Sequence, residues 1–445
     1  MKITRRDFLI APGALAMAPL LGARSFAAPM PREADIVVIG AGAAGIAAAR
    51  ALAAAKRSFA LLEASDHIGG RCVTDRQTFG VAYDRGAHWI HMPEINPVAK
   101  LAPKDGVDLY PAPPGQRVRI GQRNAREGEM EDFFAALVRS THAIGEAARG
   151  RNDVSCAVAL PADLGDWRPS IEFVLGPFGC AKALADISAM DFAKSAERDR
   201  DAFCRQGFGT LLARLAEGLS VQLSTPVRRI EISRRGIEVQ TRKGSLRART
   251  VIVTVSTAVL AAGAITFDPE LPRHHSEAIT KLPLGNYEHI ALELPGNPLG
   301  LQNDDLVFEK ATSQQTAALL ANLSGTSLCF VDVGGPFGAS LAKAGENDMV
   351  AFAREWLTAL FGADATRRLK RSAATSWARD PLVRGSFSAA LPGGQWARKA
   401  LTEPVRERLF FAGEAVHETL WGTVGGAWES GTRAAQAAIK HLRQE

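Results

Sequence analysis

Four consecutive apolar β-formers, Ile36-Val37-Val38-Ile39, run directly into Gly40-Ala41-Gly42-Ala43-Ala44-Gly45. An unbroken apolar run of this length suits a strand covered on both faces, as in parallel sheets. The alanine-rich stretch 46–56 predicts a helix, and Phe59-Ala60-Leu61-Leu62 predicts a second strand ending at Glu63. The result is a complete β-α-β unit within about thirty residues. In that setting G-x-G-x-x-G is a dinucleotide fingerprint. Gly40 permits the tight turn, Gly42 lets the backbone approach a pyrophosphate, and Gly45 lets the helix pack on the strand. A pyrophosphate would sit on the helix N-terminus, where N–H groups and the macrodipole favour negative charge. Glu63 is placed to accept hydrogen bonds from a ribose diol.

The remaining chain reads as two kinds of segment. Residues 211–219 predict a helix; 221–223, 227–232, 236–241 and 251–255 predict successive strands. Leu409-Phe410-Phe411-Ala412 predicts another strand, ahead of a closing helix over 426–443. Between these lie mixed regions, with a helix expected over 130–139 and a loop over 161–169. The expected fold is α/β, α+β overall. A Rossmann-type domain is assembled from residues 32–97, 203–284 and 391–445. A mixed α/β substrate domain is inserted as residues 98–202 and 285–390. A chain of 445 residues with 47% hydrophobic and 22% charged residues can bury such cores without metals or disulfides. The five cysteines are widely spaced with no C-x-x-C, so no zinc site or redox pair is written here, and no metal is expected. The net charge of +6 does not indicate a nucleic-acid binder, because basic residues are scattered and form no stripe interleaved with aromatics.

Half of that excess charge lies in residues 1–28, which hold Lys2, Arg5, Arg6 and Arg24 against Asp7. Thr4-Arg5-Arg6-Asp7-Phe8-Leu9 is a twin-arginine pattern. A weakly apolar stretch broken by Pro12, Gly13 and Pro19 follows, then the small-residue exit Ser25-Phe26-Ala27-Ala28. This order predicts a signal peptide over 1–28, engagement of the twin-arginine export machinery, and a bacterial periplasmic location. No apolar run reaches the ~18 residues that a membrane span needs.

Past Glu63 come Gly69-Gly70-Arg71 and then Asp84-Arg85-Gly86-Ala87-His88-Trp89-Ile90-His91. Further motifs follow at Gly207-Phe208-Gly209-Thr210-Leu211, Phe411-Ala412-Gly413-Glu414 and Gly422-Thr423-Val424-Gly425-Gly426-Ala427-Trp428-Glu429. Across about residues 35 to 435 this pattern resembles the flavin-dependent amine oxidases, the monoamine and polyamine oxidase family. The resemblance implies FAD as cofactor, contacted by Gly40, Gly42, Ala43, Ala44, Gly45, Glu63 and Ala64, and by Gly70 and Arg71 against the flavin or its phosphates. It adds Ala87, His88 and Trp89, Val227 on the adenine side, and Gly413, Glu414, Thr423 and Val424 along the ribityl chain and pyrimidine edge. Where monoamine oxidases carry the cysteine that attaches their flavin, this chain has Ser386. A serine lacks the thiolate nucleophile, so non-covalent FAD is expected.

The activity implied is oxidation of an amine, a polyamine or another primary or secondary amine, by hydride transfer from its α-carbon to flavin N5. The imine then hydrolyses to an aldehyde or ketone, with O2 or a periplasmic carrier as electron acceptor. The stretch from Gly86 to His91, followed by Asn96-Pro97, looks most like the polyamine oxidase branch, and His91 is the expected proton acceptor. Two departures stand out. His289 occupies the place where many members have a lysine that holds a water at flavin N5; a histidine can also hold a water, with a different charge and reach, so the departure bears on reactivity with oxygen. The two cage tyrosines of monoamine oxidases correspond to Phe387 and Thr423, leaving Trp421 to supply a wall. Glu94 and Glu418 are candidates for receiving a distal ammonium. An L-amino-acid oxidase, or an FAD-containing binding or assembly protein without turnover, are the alternatives. The first needs an arginine for the substrate carboxylate that no position announces.

Overall fold

The computed structural model describes residues 30–102, 106–195 and 200–444, so the predicted leader lies outside the described residues. The fingerprint strand forms over Glu33–Ile39 and pairs in parallel with Phe59–Leu62 on one side and Gly244–Val253 on the other. Ile36 and Val38 enter one hydrophobic cluster, while Val37 and Ile39 enter a second on the opposite face. This two-sided burial explains the unbroken apolar run.

Gly244–Val253 starts earlier than expected because it serves two neighbours along one edge. Residues 244–248 pair antiparallel with Gly236–Thr241, and residues 251–253 pair in parallel with Leu409–Phe411. The eight-stranded sheet is thus built from strands at 33–62, 221–268 and 409–411. The first helix, Ala43–Ala54, begins at Ala43 and packs against the last helix, Val424–Gln444. A Cβ on Gly431 would lie 2.0 Å from the Ala44 carbonyl oxygen, so the two helices meet backbone to backbone.

A second, seven-stranded sheet draws on Arg117–Asn124, Leu306–Gly334, Tyr287–Glu293 and Arg371–Ala374. The helix expected over 130–139 extends to Glu127–Ala147, started by a Glu129 carboxylate that accepts from Arg126 N–H. The loop expected over 161–169 holds to residue 164 and then turns helical: a 3₁₀ turn at Gly165–Trp167 leads into Arg168–Phe173. Pro169 falls in the first helical turn, where its missing N–H costs nothing, and Trp167, Ile171 and Phe173 supply the buried face. Among the described residues no helix is long and apolar enough to cross a membrane. All five cysteines are buried and no disulfide joins them.

One buried carboxylate ties distant motifs together. Asp84 accepts from Thr74, from His88 and from the backbone N–H of Phe208, the first residue of the helix Phe208–Leu215. The loop carrying His88 and His91 is thereby held against a segment more than a hundred residues away.

Candidate active site

A cavity of about 1170 Å³ is lined from both sheets. Single-ligand pockets usually span ~300–1,000 Å³, so this one has room for a cofactor and a substrate together. Gly40, Gly42, Ala43 and Ala44 line it, with Glu63, Ala64, Gly70 and Arg71. Gly40 adopts φ +102°, and its carbonyl oxygen would lie 1.8 Å from a Cβ on Gly45. Gly45 accordingly does not line the cavity; it seals the helix onto the turn. Gly42 is different: a Cβ there would meet nothing in the chain closer than 3.8 Å, so internal packing does not demand a glycine. The space it leaves is cavity, as a closely approaching pyrophosphate requires. The first intrahelical bond runs from Ile46 N–H to the Gly42 carbonyl, which leaves the N–H groups of residues 43–45 outside the helical ladder. Replacing Gly45 with alanine is expected to yield protein with little bound flavin, read as visible absorbance per chain.

Glu63 is buried, accepting from Ala41 N–H at 2.7 Å and from Ser65 N–H and Oγ at 2.8 and 2.9 Å. These contacts fix the carboxylate at the strand end and leave further lone pairs for a diol. Val227 lines the same end. The residues therefore fit a dinucleotide.

Arg71 is held by the Ser386 carbonyl at 2.7 Å and the Glu414 carboxylate at 2.9 Å. Glu414 is itself buried and also accepts from Ser388 Oγ and Gly422 N–H. Burial pushes its pKa up, but Arg71 and Arg398 outweigh that and hold it below the ordinary carboxylate value. Behind Ser388, Arg398 makes a bidentate pair with Asp191, both partners 1% exposed, and its guanidinium lies 4.7 Å from the centre of the Trp421 ring. Glu414 and Gly413 line the cavity, and Glu414 orients Arg71 rather than presenting a free acid.

His91, Asp201, Ala87, His88 and Trp89 line the cavity as well. His91 Nδ1 lies 2.6 Å from an Asp201 oxygen. The carboxylate can only accept, so Nδ1 carries hydrogen, and in the neutral ring Nε2 then holds the lone pair. His88 turns its Nδ1 to Asp84 and stacks on Phe203 at 4.8 Å, which makes it a brace for the loop.

His289 does not do what a lysine at its place would do. Its Nδ1 donates to Asp332 at 2.6 Å and its Nε2 to the Gly86 carbonyl at 2.8 Å, so neither nitrogen is left to hold a water. Two acceptors around one ring require an imidazolium. Burial works against that charge, but Asp332 outweighs it and raises the pKa above the usual histidine value. Asp332 also accepts from the Tyr287 hydroxyl, and the ring stacks on Phe330. A pKa raised by folding contributes stability that is complete below the unfolded value of about 6.5 and is lost as pH rises through the folded value. Against the neutral reference His289→Gln/Asp332→Asn, the wild-type margin in urea unfolding is expected to shrink with rising pH in that window. Nitrogen NMR should find both ring nitrogens protonated at neutral pH.

Phe387, Trp421 and Thr423 converge on the cavity with Val424. Phe387 packs 6.0 Å from Tyr287, and Trp421 is 1% exposed, its ring covered by Arg398. The Thr423 hydroxyl donates to the Leu420 carbonyl and accepts from Gly426 N–H. It is spent on capping the last helix, and only the methyl group remains for a ligand. Neither Glu94 nor Glu418 lines the cavity.

Sequence reasoning missed Asp201, Asp332 and the Asp191–Arg398 pair. Each acts on a residue that the fold, not local spacing, brings near.

The chain resembles known proteins over nearly its whole length. Lysine-specific histone demethylase 2 of Homo sapiens is 28% identical over 441 residues, covering 90% of this chain and 53% of the demethylase. This chain spans about half the length of that demethylase and of its Mus musculus counterpart, lysine-specific histone demethylase 1B. Polyamine oxidase 4 of Oryza sativa subsp. japonica is 27% identical, with 92% and 89% covered. Among solved structures, cyclohexylamine oxidase from Brevibacterium oxydans IH-35A superposes with a TM-score of 0.78 at 21% identity, covering 92% of this chain and 99% of that one. Putrescine oxidase bound to putrescine gives the same score at 20% identity, with the same coverage. These structural likenesses share the two-sheet fold described above. The family described as "Flavin containing amine oxidoreductase" matches residues 43–439, from the first residue of the fingerprint helix into the closing one, and the chain belongs to it.

Proposed function

We propose that this chain oxidises an amine at its α-carbon and that His91, held by Asp201, takes the proton that frees the amine lone pair. FAD is the cofactor of the family and of this chain. The chemistry it supplies when bound is acceptance of a hydride from the α-carbon, leaving an imine that hydrolyses to an aldehyde or ketone. The protein's part is position and protonation state. An ammonium has no lone pair to assist departure of the hydrogen, so a neutral Nε2 in the cavity is the group the reaction needs. Asp201 holds the ring in that tautomer and stabilises the imidazolium once the proton arrives.

The observation that carries this reading is the His91–Asp201 pair opening onto the same cavity as the dinucleotide cradle. The printed names of the relatives, polyamine oxidase, putrescine oxidase and cyclohexylamine oxidase, all describe amine oxidation and support it. Among the described residues, no arginine from 106–195 or 285–375 lines the cavity, which favours an amine over an amino acid. Anaerobic titration of the yellow protein with amines, following the visible flavin band, tests the reading. Bleaching is the expected result, and an amino acid bleaching the band where no amine does would overturn it. Admitting air then separates O2 from a protein carrier as acceptor.

The paired arginines and small-residue exit of 1–28 support export in the folded state to a bacterial periplasm. Mass spectrometry of protein from the periplasmic fraction is expected to find a new N-terminus near Ala27 or Ala28. Intact chain confined to the cytosol would count against export.

A further inference from the structure

We infer that the substrate is a monoamine carried on an aromatic or alicyclic body, and that diamines and polyamines are discriminated against; this rests on the amine reading above. A row of aromatic rings lines the part of the cavity that the substrate lobe contributes, with Gln116, Thr141 and Ser195 as polar lining apart from it. Phe387 lies 6.0 Å from Tyr287, Tyr287 lies 6.0 Å from Phe178, and Phe178 meets Phe308 edge-on at 5.1 Å. Leu175 and Leu137 line the cavity beside this row. The Tyr287 hydroxyl, the polar tip of the row, is already spent on Asp332.

A second ammonium needs a partner, and the wall provides none. Among the described residues, no carboxylate from 106–195 or 285–375 lines the cavity. Four carboxylates line the cavity outside those stretches, two of them, Asp201 and Asp380, at the ends of the substrate segments, and each already holds a partner. Glu63 holds Ala41 and Ser65, Glu414 holds Arg71, and Asp201 holds His91. Asp380 accepts from Leu382 N–H, in a loop anchored to Ser256 of the dinucleotide side. Arg398 already occupies one face of the Trp421 ring, so a second cation at that ring would approach an existing positive charge.

The helix over Glu127–Ala147 carries the same message. It lends Leu137, Thr141 and Gly145 to the cavity at a spacing of four. The positions flanking that stripe three and four residues away include His142 and Arg149 but no acid. Glu146, next to Gly145, is paired with Arg149. A polycation laid along the aromatic row would meet no carboxylate there and would bury its distal charge against phenylalanine and leucine, which is strongly unfavourable. An apolar ring bearing one amine buries its body there favourably.

The test uses the wild-type, flavin-loaded protein near pH 8 with benzylamine, 2-phenylethylamine and cyclohexylamine against putrescine and spermidine. Binding is read as perturbation of the flavin spectrum before reduction, and kcat/KM from anaerobic reduction with a single-turnover check. The ring-bearing amines are expected to exceed the diamine and polyamine by at least ~100-fold in both. A Leu175→Glu variant, changing a half-buried wall position, should raise putrescine kcat/KM at least ~10-fold relative to 2-phenylethylamine. Putrescine or spermidine matching the ring-bearing amines in the wild type would overturn this inference while leaving amine oxidation intact. No amine reducing the flavin would overturn the proposed function itself.

Discussion

Replacing His91 with glutamine is expected to lower kcat/KM about 10²–10⁴-fold at neutral pH, the usual contribution of a positioned proton acceptor. The loss should depend on pH in a particular direction. An alkylammonium with a pKa near ~10 is almost wholly protonated at pH 7, so the acceptor is needed; as pH climbs towards ~10 the free amine becomes abundant in solution and the deficit narrows. Asp201→Asn should reproduce a smaller version of the same profile, because an amide can orient the ring but cannot balance the imidazolium. A merely structural role for His91 predicts a deficit that is flat with pH. Anaerobic reduction rates measured from about pH 7 to 10 decide between them.

Replacing Arg398 with methionine is expected to destabilise the protein by roughly 3–5 kcal/mol, the cost of leaving one member of a buried ion pair behind. Asp191 would keep its charge with both guanidinium contacts gone, and the Ala415 carbonyl and Ser388 hydroxyl would lose donors. The double variant Asp191→Asn/Arg398→Met removes the stranded charge and should regain a large part of the loss in urea midpoint. The single variant should also load flavin poorly. Glu414 would lose one of the two cations that keep it ionised, and with it the firm hold on Arg71. The acid limb has a fixed sign: a carboxyl pKa depressed by folding gives stability present above ~4.3 and lost as pH falls through the folded value.

Local sequence carried the cofactor half well. The fingerprint is contiguous, its roles follow from φ and close approach, and Gly40, Gly42 and Glu63 reach one cavity through neighbours a few residues away. The substrate half was legible only as a set of positions. His289 was singled out, but its charge state depends on Asp332, a partner across two antiparallel strands. Thr423 reads as the place of an absent cage tyrosine, yet its hydroxyl serves the helix that begins one residue later. Asp201 and Arg398 gave no local signal at all, since a lone acid or a lone arginine acquires meaning only from what the fold sets opposite it. The loop expected at 161–169 runs only to 164 for a related reason: Pro169 reads as a breaker until its place in the first turn is known.

The backbone contact between the first helix and the last has a consequence for how the protein is made. Glu33–Ile39 leaves the ribosome early, yet its outer neighbour is not synthesised until Gly244–Val253, and Ala44 meets Gly431 only when the final helix has emerged. A nascent chain therefore displays the fingerprint long before it can close around anything. Flavin capture waits until the helix Val424–Gln444 has emerged, and a chain terminated before Val424 should be colourless and open to proteases however complete its first half.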